Sequence, residues 1–328
     1  MNIMKAIIAT GYGPPDVLRL QEVEKPVPKD QEVLVKIHAT AVNSGDWRIR
    51  SLEVPPGFGI FVRLAFGFSR PRQPILGVVL AGKVEAVGKD VTKFRAGDEV
   101  FAMDGNKMGC HAEYKTMPED GVIVLKPGNL NFEEAAAITF GGMTAINYLR
   151  ERAGIKRGDK VLVNGASGAV GIAAVQVAKY FGAQVTGVCS TANVGFVQSF
   201  GADKVVDYTR EDFTGKGETY DIIMDNVGNA PYSRVKNALR EGGRLLAVVS
   251  GLPEMARIPW VALTSSKKVI AGPADERPED LRFLAELAEA GQFRPAISRR
   301  YPLEQMAEAH RYVDTGHKQG NVVVTLED

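Results

Sequence analysis

A chain of 328 residues is about twice the usual size of a domain, so we expect two domains. Apolar residues make up 45% and charged residues 24% of the sequence, which is typical of a soluble globular protein and excludes a disordered or fibrous chain. The formal charge of +1 creates no long-range field that would attract nucleic acid or an acidic membrane surface, so a charged ligand needs a local site.

Two cysteines, Cys110 and Cys189, stand far apart in the sequence and cannot form a disulfide framework or a four-thiolate zinc site. The first residues lead directly into a predicted strand, without the apolar core and small-residue cleavage site of a signal peptide. No run reaches the ~20 apolar residues of a membrane helix. We therefore expect a cytoplasmic protein with no integral membrane contact.

The first third of the chain is rich in short apolar runs bounded by Gly, Pro and Asp. These runs predict strands at 5–10, 32–37, 78–87, 97–101 and 122–125. A break at Pro127-Gly128-Asn129 then precedes a helical pattern that begins near Phe132.

Strands and helices alternate from about residue 126 onward. Buried-type runs occur at 160–163, 184–188, 204–206, 221–224, 244–249 and 268–270. Short apolar strands separated by helices indicate a parallel sheet covered on both faces, and six of them fit a dinucleotide-binding fold. The tail from about residue 272 predicts an amphipathic helix through Leu281 and Leu287, a second helix at 303–312 and a last strand at 321–326.

A glycine-rich turn joins the strand at 160–163 to the next helix. Gly168 lets the backbone approach a pyrophosphate, Gly171 lets the helix pack close to the strand, and the helix N-terminus offers free N–H groups to the phosphates. Ala166 stands where the first glycine of the G-x-G-x-x-G pattern usually falls. The predicted cofactor loop consists of Gly165, Ala166, Ser167, Gly168, Ala169, Val170 and Gly171.

The end of the following strand distinguishes the two dinucleotides. An NAD site places Asp or Glu about 20 residues after the turn, to accept hydrogen bonds from the ribose. This sequence has no carboxylate there before Asp203, which permits a 2′-phosphate and therefore predicts NADPH. Ser190, Thr191 and Asn193 are candidate donors to that phosphate, and Tyr208 and Arg210 are further candidates; ordinary polar loop residues are the alternative interpretation.

With these motifs in place, the whole chain resembles the medium-chain dehydrogenase/reductase superfamily. The matching segments are PDVL at 15–18, AVNSGD at 41–46, AGKVEAVG at 81–88, GDEV at 97–100, EY at 113–114, GGMTA at 141–145, GAD at 201–203 and GNVVV at 320–324. The resemblance implies an α/β fold in which a Rossmann doubly wound parallel sheet (126–271) is inserted into a GroES-like β-rich catalytic domain (1–125 and 272–328). It also implies a cleft between the domains for the nicotinamide, and a dimer or tetramer whose subunit contact lies near the segment after Ser250. Of these two assemblies we expect a homodimer.

The zinc branch of this superfamily requires an early thiolate, a His-Glu pair after a glycine and a further Cys or acidic ligand. At the matching places this sequence has Asn43 and Gly77-Val78-Val79, which cannot build a tetrahedral zinc site. We interpret the adjacent Cys110 and His111 as structural, because neighbours in an extended segment point to opposite faces. We therefore predict no metal and a zinc-independent, quinone oxidoreductase-like branch. Many relatives in that branch carry Asp where this chain has Val79.

Without a Lewis acid, conjugated acceptors suit the site, because hydride addition gives a delocalised anion that oriented donors can stabilise. We expect NADPH-dependent reduction of small apolar quinones or other conjugated carbonyls (enones). Asn43 is the candidate donor, Thr144 positions the substrate or the nicotinamide, and Asp46 orients the backbone or Asn43. Water is the expected proton source. The predicted cofactor site also includes Asn226, Val227, Ser250 and Asn321.

Two other functions stay open. An enoyl-thioester reductase would need an electropositive groove for a carrier phosphate. A non-catalytic NADPH-binding sensor or structural protein would have the same nucleotide site but would not consume bound NADPH. The near-neutral charge and the lack of a clear stacking platform argue against a nucleic-acid partner.

The segment from Arg48 to Pro74 mixes apolar residues with arginines and has three interpretations. It is a lid over the substrate cleft, a helix packed into the catalytic domain's own core, or a peripheral membrane contact. The residues concerned are Phe58, Ile60, Phe61, Val62, Leu64, Phe66 and Phe68, with Arg48, Arg50, Arg63, Arg70 and Arg72.

Overall fold

A computed structural model describes residues 2–215 and 217–326 and divides the chain into two compact units. The first unit comprises Met1–Val54, Gly59–Phe140 and Glu276–Asp328, and the second comprises Pro55–Phe58 and Gly141–Asp275. The sequence placed its domain boundaries at 125/126 and 271/272. Which unit carries which function remains a prediction.

The N-terminal part of the first unit is mainly antiparallel. Its strands are β1 (Ile3–Ala9), β2 (Leu18–Glu24), β3 (Glu32–Val42), β4 (Val79–Val87), β5 (Glu99–Met103), β6 (Tyr114–Pro118) and β7 (Ile123–Leu125). Its helices are α1 (Ser44–Ser51), α2 (Gly59–Phe66) and α3 (Phe132–Ile146), the last of which runs on into the second unit. The sequence missed β2 and β6 because β2 is mostly exposed and β6 alternates buried with half-buried positions, so neither contains a continuous apolar run.

The second unit is a parallel sheet with its helices. Its strands are β8 (Lys160–Asn164), β9 (Gln184–Cys189), β10 (Lys204–Asp207), β11 (Tyr220–Asp225), β12 (Leu239–Ala247) and β13 (Lys268–Ala271), and its helices are α4 (Ala169–Tyr180), α5 (Val194–Ser199), α6 (Tyr232–Val235), α7 (Leu252–Met255) and α8 (Ile258–Thr264). The strand order β10-β9-β8-β11-β12-β13 is that of a doubly wound dinucleotide-binding sheet, which confirms the predicted fold class.

The C-terminal segment returns to the first unit and completes its sheet. It contains α9 (Pro278–Glu289), β14 (Ile297–Pro302), α10 (Met306–Asp314) and β15 (Asn321–Thr325). β15 pairs antiparallel with β3, as Val322 opposite Val42, and parallel with β14. The sheet order is therefore β14-β15-β3-β4-β5-β7, with β6 also paired to β3.

The segment that the sequence left with three interpretations forms α1, α2 and the turn after them. All residues of α2 are exposed or half-buried, so its interpretation as a helix packed into the core is wrong. Arg50, one of the arginines of this segment, is fully buried. Over residues 2–215 and 217–326, the structure has no helix long and apolar enough to cross a membrane.

Candidate active site and cofactor site

The glycine-rich turn lies between β8 and α4, where the strand order of the parallel sheet reverses. Gly165 has a φ of +74°, and Gly168 donates its N–H to the Gly165 carbonyl at 3.2 Å. Gly168 is the N-cap residue of α4, and no side chain within the described ranges caps this helix. The first N–H groups of α4 are therefore open to an anion, and they lie at the helix end where the macrodipole favours negative charge.

Gly168 and Gly171 are glycine for different physical reasons. A Cβ on Gly171 would lie 2.1 Å from the carbonyl oxygen of Gly165, so the close approach of helix and turn excludes any side chain there. A Cβ on Gly168 would lie 3.6 Å from the same oxygen, which is an ordinary contact. The fold therefore tolerates a side chain at 168, and the open space suits a pyrophosphate approaching the backbone.

The loop after β9 is tied to the glycine-rich turn. Asn193 Nδ2 donates to Ser167 Oγ and to Ser190 Oγ, both at 3.2 Å. Ser190 is half-buried, and Thr191 and Tyr208 are exposed. The structure thus brings the predicted residues Ser167, Ser190 and Asn193 together at the carboxyl end of the sheet.

A carboxylate that sequence reasoning missed lies beside this loop. Asp207 ends β10 in register with Cys189, the last residue of β9. Thr191 donates its hydroxyl hydrogen to Asp207 Oδ2 at 2.5 Å. These bonds from Thr191, then those from Thr209, lower the pKa of Asp207, and Arg210 Nε lies 3.4 Å from Oδ2. The parallel pairing of β9 with β10 could have revealed this carboxylate, because the pairing places the ends of both strands side by side.

Polar groups also converge at the end of β11. Asn164 Nδ2 donates to Asp225 Oδ1 at 2.8 Å, and Asp225 Oδ1 accepts from the N–H of Val227 at 3.0 Å. Asn226 Nδ2 donates to the Asn164 carbonyl at 3.1 Å. Its Oδ1 is buried and has no hydrogen-bond partner within 2–215 and 217–326. An orphaned acceptor beside the glycine-rich turn fits a ligand that carries hydrogen-bond donors, so the predicted residues Asn226 and Val227 belong to the same cluster.

In the first unit, Asn43 and Asp46 cap α1 together. Asn43 Oδ1 accepts from the N–H groups of Gly45 and Asp46, at 2.8 and 3.3 Å, and Asp46 Oδ2 accepts from the N–H of Asn43 at 3.0 Å. Asn43 is almost fully buried, yet its Nδ2 has no partner among the described residues. The cap therefore fixes the amide with its oxygen toward the helix and leaves its N–H₂ group without a well-formed hydrogen bond among the described residues, beside the Asp46 carboxyl group.

Asp46 is fully buried, and burial raises its pKa to about 7. The backbone N–H groups of Asn43, Gly77 and Val78 and the side chain of Asn43 oppose this increase, but Oδ1 makes no well-formed hydrogen bond with any described group. The neighbouring segment is closely packed, since a Cβ on Gly77 (φ +90°) would lie 2.4 Å from His111 Cδ2. Asp46 is thus a poorly solvated carboxyl group that holds Asn43 in place.

A buried basic cluster that sequence reasoning missed lies in the same unit. Arg50 donates from Nε to His310 Nδ1 at 3.2 Å, from one terminal nitrogen to the Gly13 carbonyl at 2.6 Å, and from the other to Asp314 at 2.5 Å. His111 lies edge-on to His310, with ring centroids 5.8 Å apart. Burial lowers the pKa of His111 to about 4 and that of His310 well below its usual value, so both rings are neutral.

The remaining predicted residues are dispersed. Thr144 is buried on α3 within the second unit, and Ser250 is half-buried just after β12. Asn321 lies in the first unit, where its Nδ2 donates to the Ala296 carbonyl at 3.1 Å. A cavity of about 380 Å³ in the first unit, lined by Phe94, Gly121, Ile123, Leu125 and Arg282, contains none of the predicted site residues.

The side chains present do not fit a zinc ion. Within the described parts of the chain, no group of three or more His, Cys, Asp and Glu side chains is placed to hold a metal. Asn43 uses its oxygen in the cap, and Val78 and Val79 are aliphatic. Cys110 is buried, and burial raises the pKa of its thiol to about 12.

Comparisons with known proteins agree along the chain. A family model described as "Alcohol dehydrogenase GroES-like domain" matches residues 29–127, and one described as "Zinc-binding dehydrogenase" matches residues 200–324. The quinone oxidoreductase of Sus scrofa is 35% identical over 97% of this chain and 96% of its own length. The quinone oxidoreductase of Lama guanicoe is 36% identical over 97% of this chain and 96% of its own length. The solved structure of the quinone oxidoreductase from Coxiella burnetii superposes with a TM-score of 0.87 at 30% identity, covering 99% of this chain and all of the other.

Proposed function

This chain belongs to the medium-chain dehydrogenase/reductase superfamily, in its quinone oxidoreductase-like branch, and we propose that it reduces quinones or other conjugated carbonyls with NADPH and without zinc. The single observation that carries the proposal is the buried N–H₂ group of Asn43, which makes no well-formed hydrogen bond with a described residue while its oxygen is committed to the cap of α1. Such a fixed donor in a water-poor environment is suited to a developing oxyanion.

The second unit would hold the dinucleotide. The open N–H groups of Ala169, Val170 and Gly171 would bind the pyrophosphate, and the orphaned Asn226 Oδ1 would accept a hydrogen bond from the ligand. When bound, the reduced nicotinamide supplies a hydride. Val227, Ser250, Thr144 and Asn321 remain the proposed residues around it.

NADPH is the proposed dinucleotide because the loop after β9 offers Ser190 and Asn193, with no carboxylate of its own. Asp207 lies close by, but its oxygens already accept hydrogen bonds from Thr191 and Thr209, and Arg210 balances its charge. Tyr208 and Arg210 are the proposed outer contacts of the 2′-phosphate.

The first unit would supply the chemistry at the acceptor. Hydride addition to one end of a conjugated carbonyl places negative charge on the carbonyl oxygen, and a hydrogen bond from Asn43 Nδ2 stabilises that charge. Asp46 is a positioning residue, because it holds the backbone of Asn43 and makes no proposed contact with the acceptor. Uptake of a proton from water then completes the two-electron reduction of a quinone to a hydroquinone.

The decisive experiment is NADPH oxidation by the purified protein with an ortho-quinone acceptor in the presence of a metal chelator, beside a matched NADH reaction. Turnover that prefers NADPH and survives chelation is expected. Turnover lost on chelation and restored by zinc would overturn the metal-free mechanism. Tight NADPH binding without turnover of quinones or enones would favour a non-catalytic sensor.

Assembly and location belong to the same proposal. We propose a homodimer, as the family resemblance implies, and a cytoplasmic location, as the sequence patterns predict. Light scattering of the purified protein tests the dimer, with a monomeric mass as the contrary result.

A further inference from the structure

The helix α2 and the turn after it present apolar side chains to solvent. The exposed fractions are 63% for Ile60, 55% for Phe61, 51% for Leu64 and 58% for Phe68. Isolated exposed apolar residues are common on protein surfaces, but here four lie within nine positions of one helix and its turn, and we call this group a patch. Burial within the described fold does not explain these residues.

This patch is built on a defined turn. Gly67 donates its N–H to the Arg63 carbonyl at 2.9 Å and accepts from the Tyr12 hydroxyl at 2.8 Å. Arg72 donates its N–H to the Phe66 carbonyl at 2.6 Å. Gly67 has a φ of +122°, and a Cβ there would lie 2.2 Å from the Arg70 carbonyl oxygen. The close approach therefore requires glycine, and the turn holds the apolar residues beside the arginines that follow.

The charge on this segment has one sign. Arg63, Arg70 and Arg72 are exposed, and the sequence contains no Asp or Glu from Val54 to Val84. Across residues 2–215 and 217–326, no carboxylate lies within ion-pair distance of these three guanidinium groups. Arg63 instead donates to the Phe68 carbonyl and lies 5.8 Å from the Tyr12 ring. The segment is thus an exposed, uncompensated positive surface with apolar side chains between the charges.

We propose that this surface docks the protein on an anionic lipid bilayer. The docking surface consists of Ile60, Phe61, Leu64 and Phe68 with Arg63, Arg70 and Arg72. Apolar side chains enter the boundary between headgroups and acyl chains, while arginines pair with lipid phosphates at the same depth. The net charge of +1 gives the whole protein no attraction to such a surface, so binding depends on this local patch within a Debye length of the lipid.

Two other occupants fit the charges less well. A second copy of the chain, packed through the same patch about a two-fold axis, would bring like-charged arginines together. A lid over an apolar acceptor would account for the aromatic residues. It would not account for three guanidinium groups that have no carboxylate within ion-pair distance. An anionic bilayer matches both features at once.

Docking on a bilayer also determines which acceptors the protein meets. This part of the inference rests on the proposed function. Quinones with long alkyl chains dissolve in bilayers rather than in water. An enzyme docked on the bilayer meets such acceptors at a high local concentration, so a membrane-dissolved quinone is the acceptor class that this surface favours.

Co-sedimentation with vesicles tests the docking directly and needs neither NADPH nor an acceptor. The wild-type protein is expected to bind vesicles of phosphatidylcholine mixed with phosphatidylglycerol, to release at high salt, and to ignore pure phosphatidylcholine. Arg70→Gln/Arg72→Gln and Phe61→Ser/Leu64→Ser should each lower the partition coefficient by about tenfold or more. Matched exposed pairs, Arg95→Gln/Arg282→Gln and Val27→Ser/Leu125→Ser, should leave it nearly unchanged.

Several other results overturn the docking proposal. It fails if wild type does not bind the anionic vesicles, or if both test variants bind as wild type does. A change of oligomeric mass in the test variants, with vesicle binding unchanged, would assign the surface to a subunit contact. A raised KM for a water-soluble quinone, again with vesicle binding unchanged, would assign it to a lid. An inactive protein that still shows the expected vesicle binding would contradict the proposed function and leave the docking supported.

Discussion

Asn43 and Asp46 hold each other in place at the N-terminus of α1: Asn43 Oδ1 accepts the N–H of Asp46 at 3.3 Å, and Asp46 Oδ2 accepts the N–H of Asn43 at 3.0 Å. This reciprocal pair decides which end of the Asn43 amide is available. The oxygen is used in the cap, so Nδ2 is the buried end that makes no well-formed hydrogen bond with the described residues. A hydrogen-bond donor, and not an acceptor, is therefore what Asn43 offers to a ligand.

Two substitutions of Asn43 distinguish its role as a helix cap from its proposed role as a hydrogen-bond donor. Asn43→Ala removes both, whereas Asn43→Ser keeps a side-chain oxygen that caps helices well. We expect both variants to lower kcat/KM with an ortho-quinone by about a hundredfold and to bind NADPH as wild type does. Only the alanine variant should lose stability, by about 1 kcal/mol in thermal unfolding. Full turnover in Asn43→Ser would remove the amide from the mechanism.

Asp46 makes stability depend on pH. Burial raises its folded-state pKa to about 7, above the value of about 3.9 for an unfolded chain, so the folded protein retains a proton that the unfolded chain releases. This contribution is fully present below the unfolded pKa and is lost as the pH rises through about 7. Asp46→Asn cannot titrate, so wild type should lose stability relative to this variant by on the order of 4 kcal/mol between pH 4 and pH 8. Denaturant unfolding of both proteins at several pH values measures the difference. A constant difference would show that Asp46 does not titrate in this range.

The two glycines at the start of α4 should respond oppositely to substitution. Gly168→Asp has room for its side chain and places a carboxylate at an N-cap that lacks one, so the fold should keep or raise its Tm. The same carboxylate repels a pyrophosphate and should weaken NADPH binding by about a hundredfold or more. Gly171→Ala meets the Gly165 carbonyl and should lose about 1–3 kcal/mol of stability. Calorimetric binding and thermal unfolding report the two effects, and unchanged NADPH affinity in Gly168→Asp would refute the loop assignment.

Asp207 should weaken the preference for NADPH. Its carboxylate lies beside Thr191 in the loop proposed to hold the 2′-phosphate. Asp207→Asn removes a negative charge and should raise the NADPH-to-NADH affinity ratio by roughly fivefold, while Arg210→Gln should lower it. Dissociation constants for both dinucleotides check the pair of variants. If the NADPH-to-NADH affinity ratio is unchanged in both variants, the 2′-phosphate binds elsewhere.

Arg50 should matter for folding and not for membrane docking. It is fully buried and donates to Gly13, His310 and Asp314, so Arg50→Met leaves a carboxylate and a carbonyl without their partner. We expect a loss of about 3 kcal/mol in denaturant unfolding, at the lower end of the range for buried pairs because Asp314 is partly exposed. Arg50→Lys keeps a positive charge but cannot reach all three acceptors. Its free energy of unfolding should therefore lie between those of wild type and Arg50→Met. Wild-type stability in Arg50→Met would show that the cluster is not structural.

Several features of this protein follow from the sequence alone. The central strands β8, β9 and β11 of the parallel sheet are almost entirely buried, so each is a largely apolar run that stands out without knowledge of its neighbours. The glycine-rich turn is local as well, because a strand, a tight turn and a helix follow one another within a few residues. These patterns predicted the fold class, and they also predicted the loop in which Gly171 meets Gly165.

Other features depend on contacts between residues that are far apart in the sequence. Local sequence patterns do not specify such contacts. Asp207 reaches Thr191 only because β10 lies parallel to β9, and Arg50 is buried because α10 brings His310 and Asp314 to it. The segment around α2 looked like a possible core helix because its composition is apolar, but only tertiary packing determines whether apolar residues find a partner. The free end of the Asn43 amide was decided in the same way, by hydrogen bonds whose direction depends on folded geometry and not on residue type.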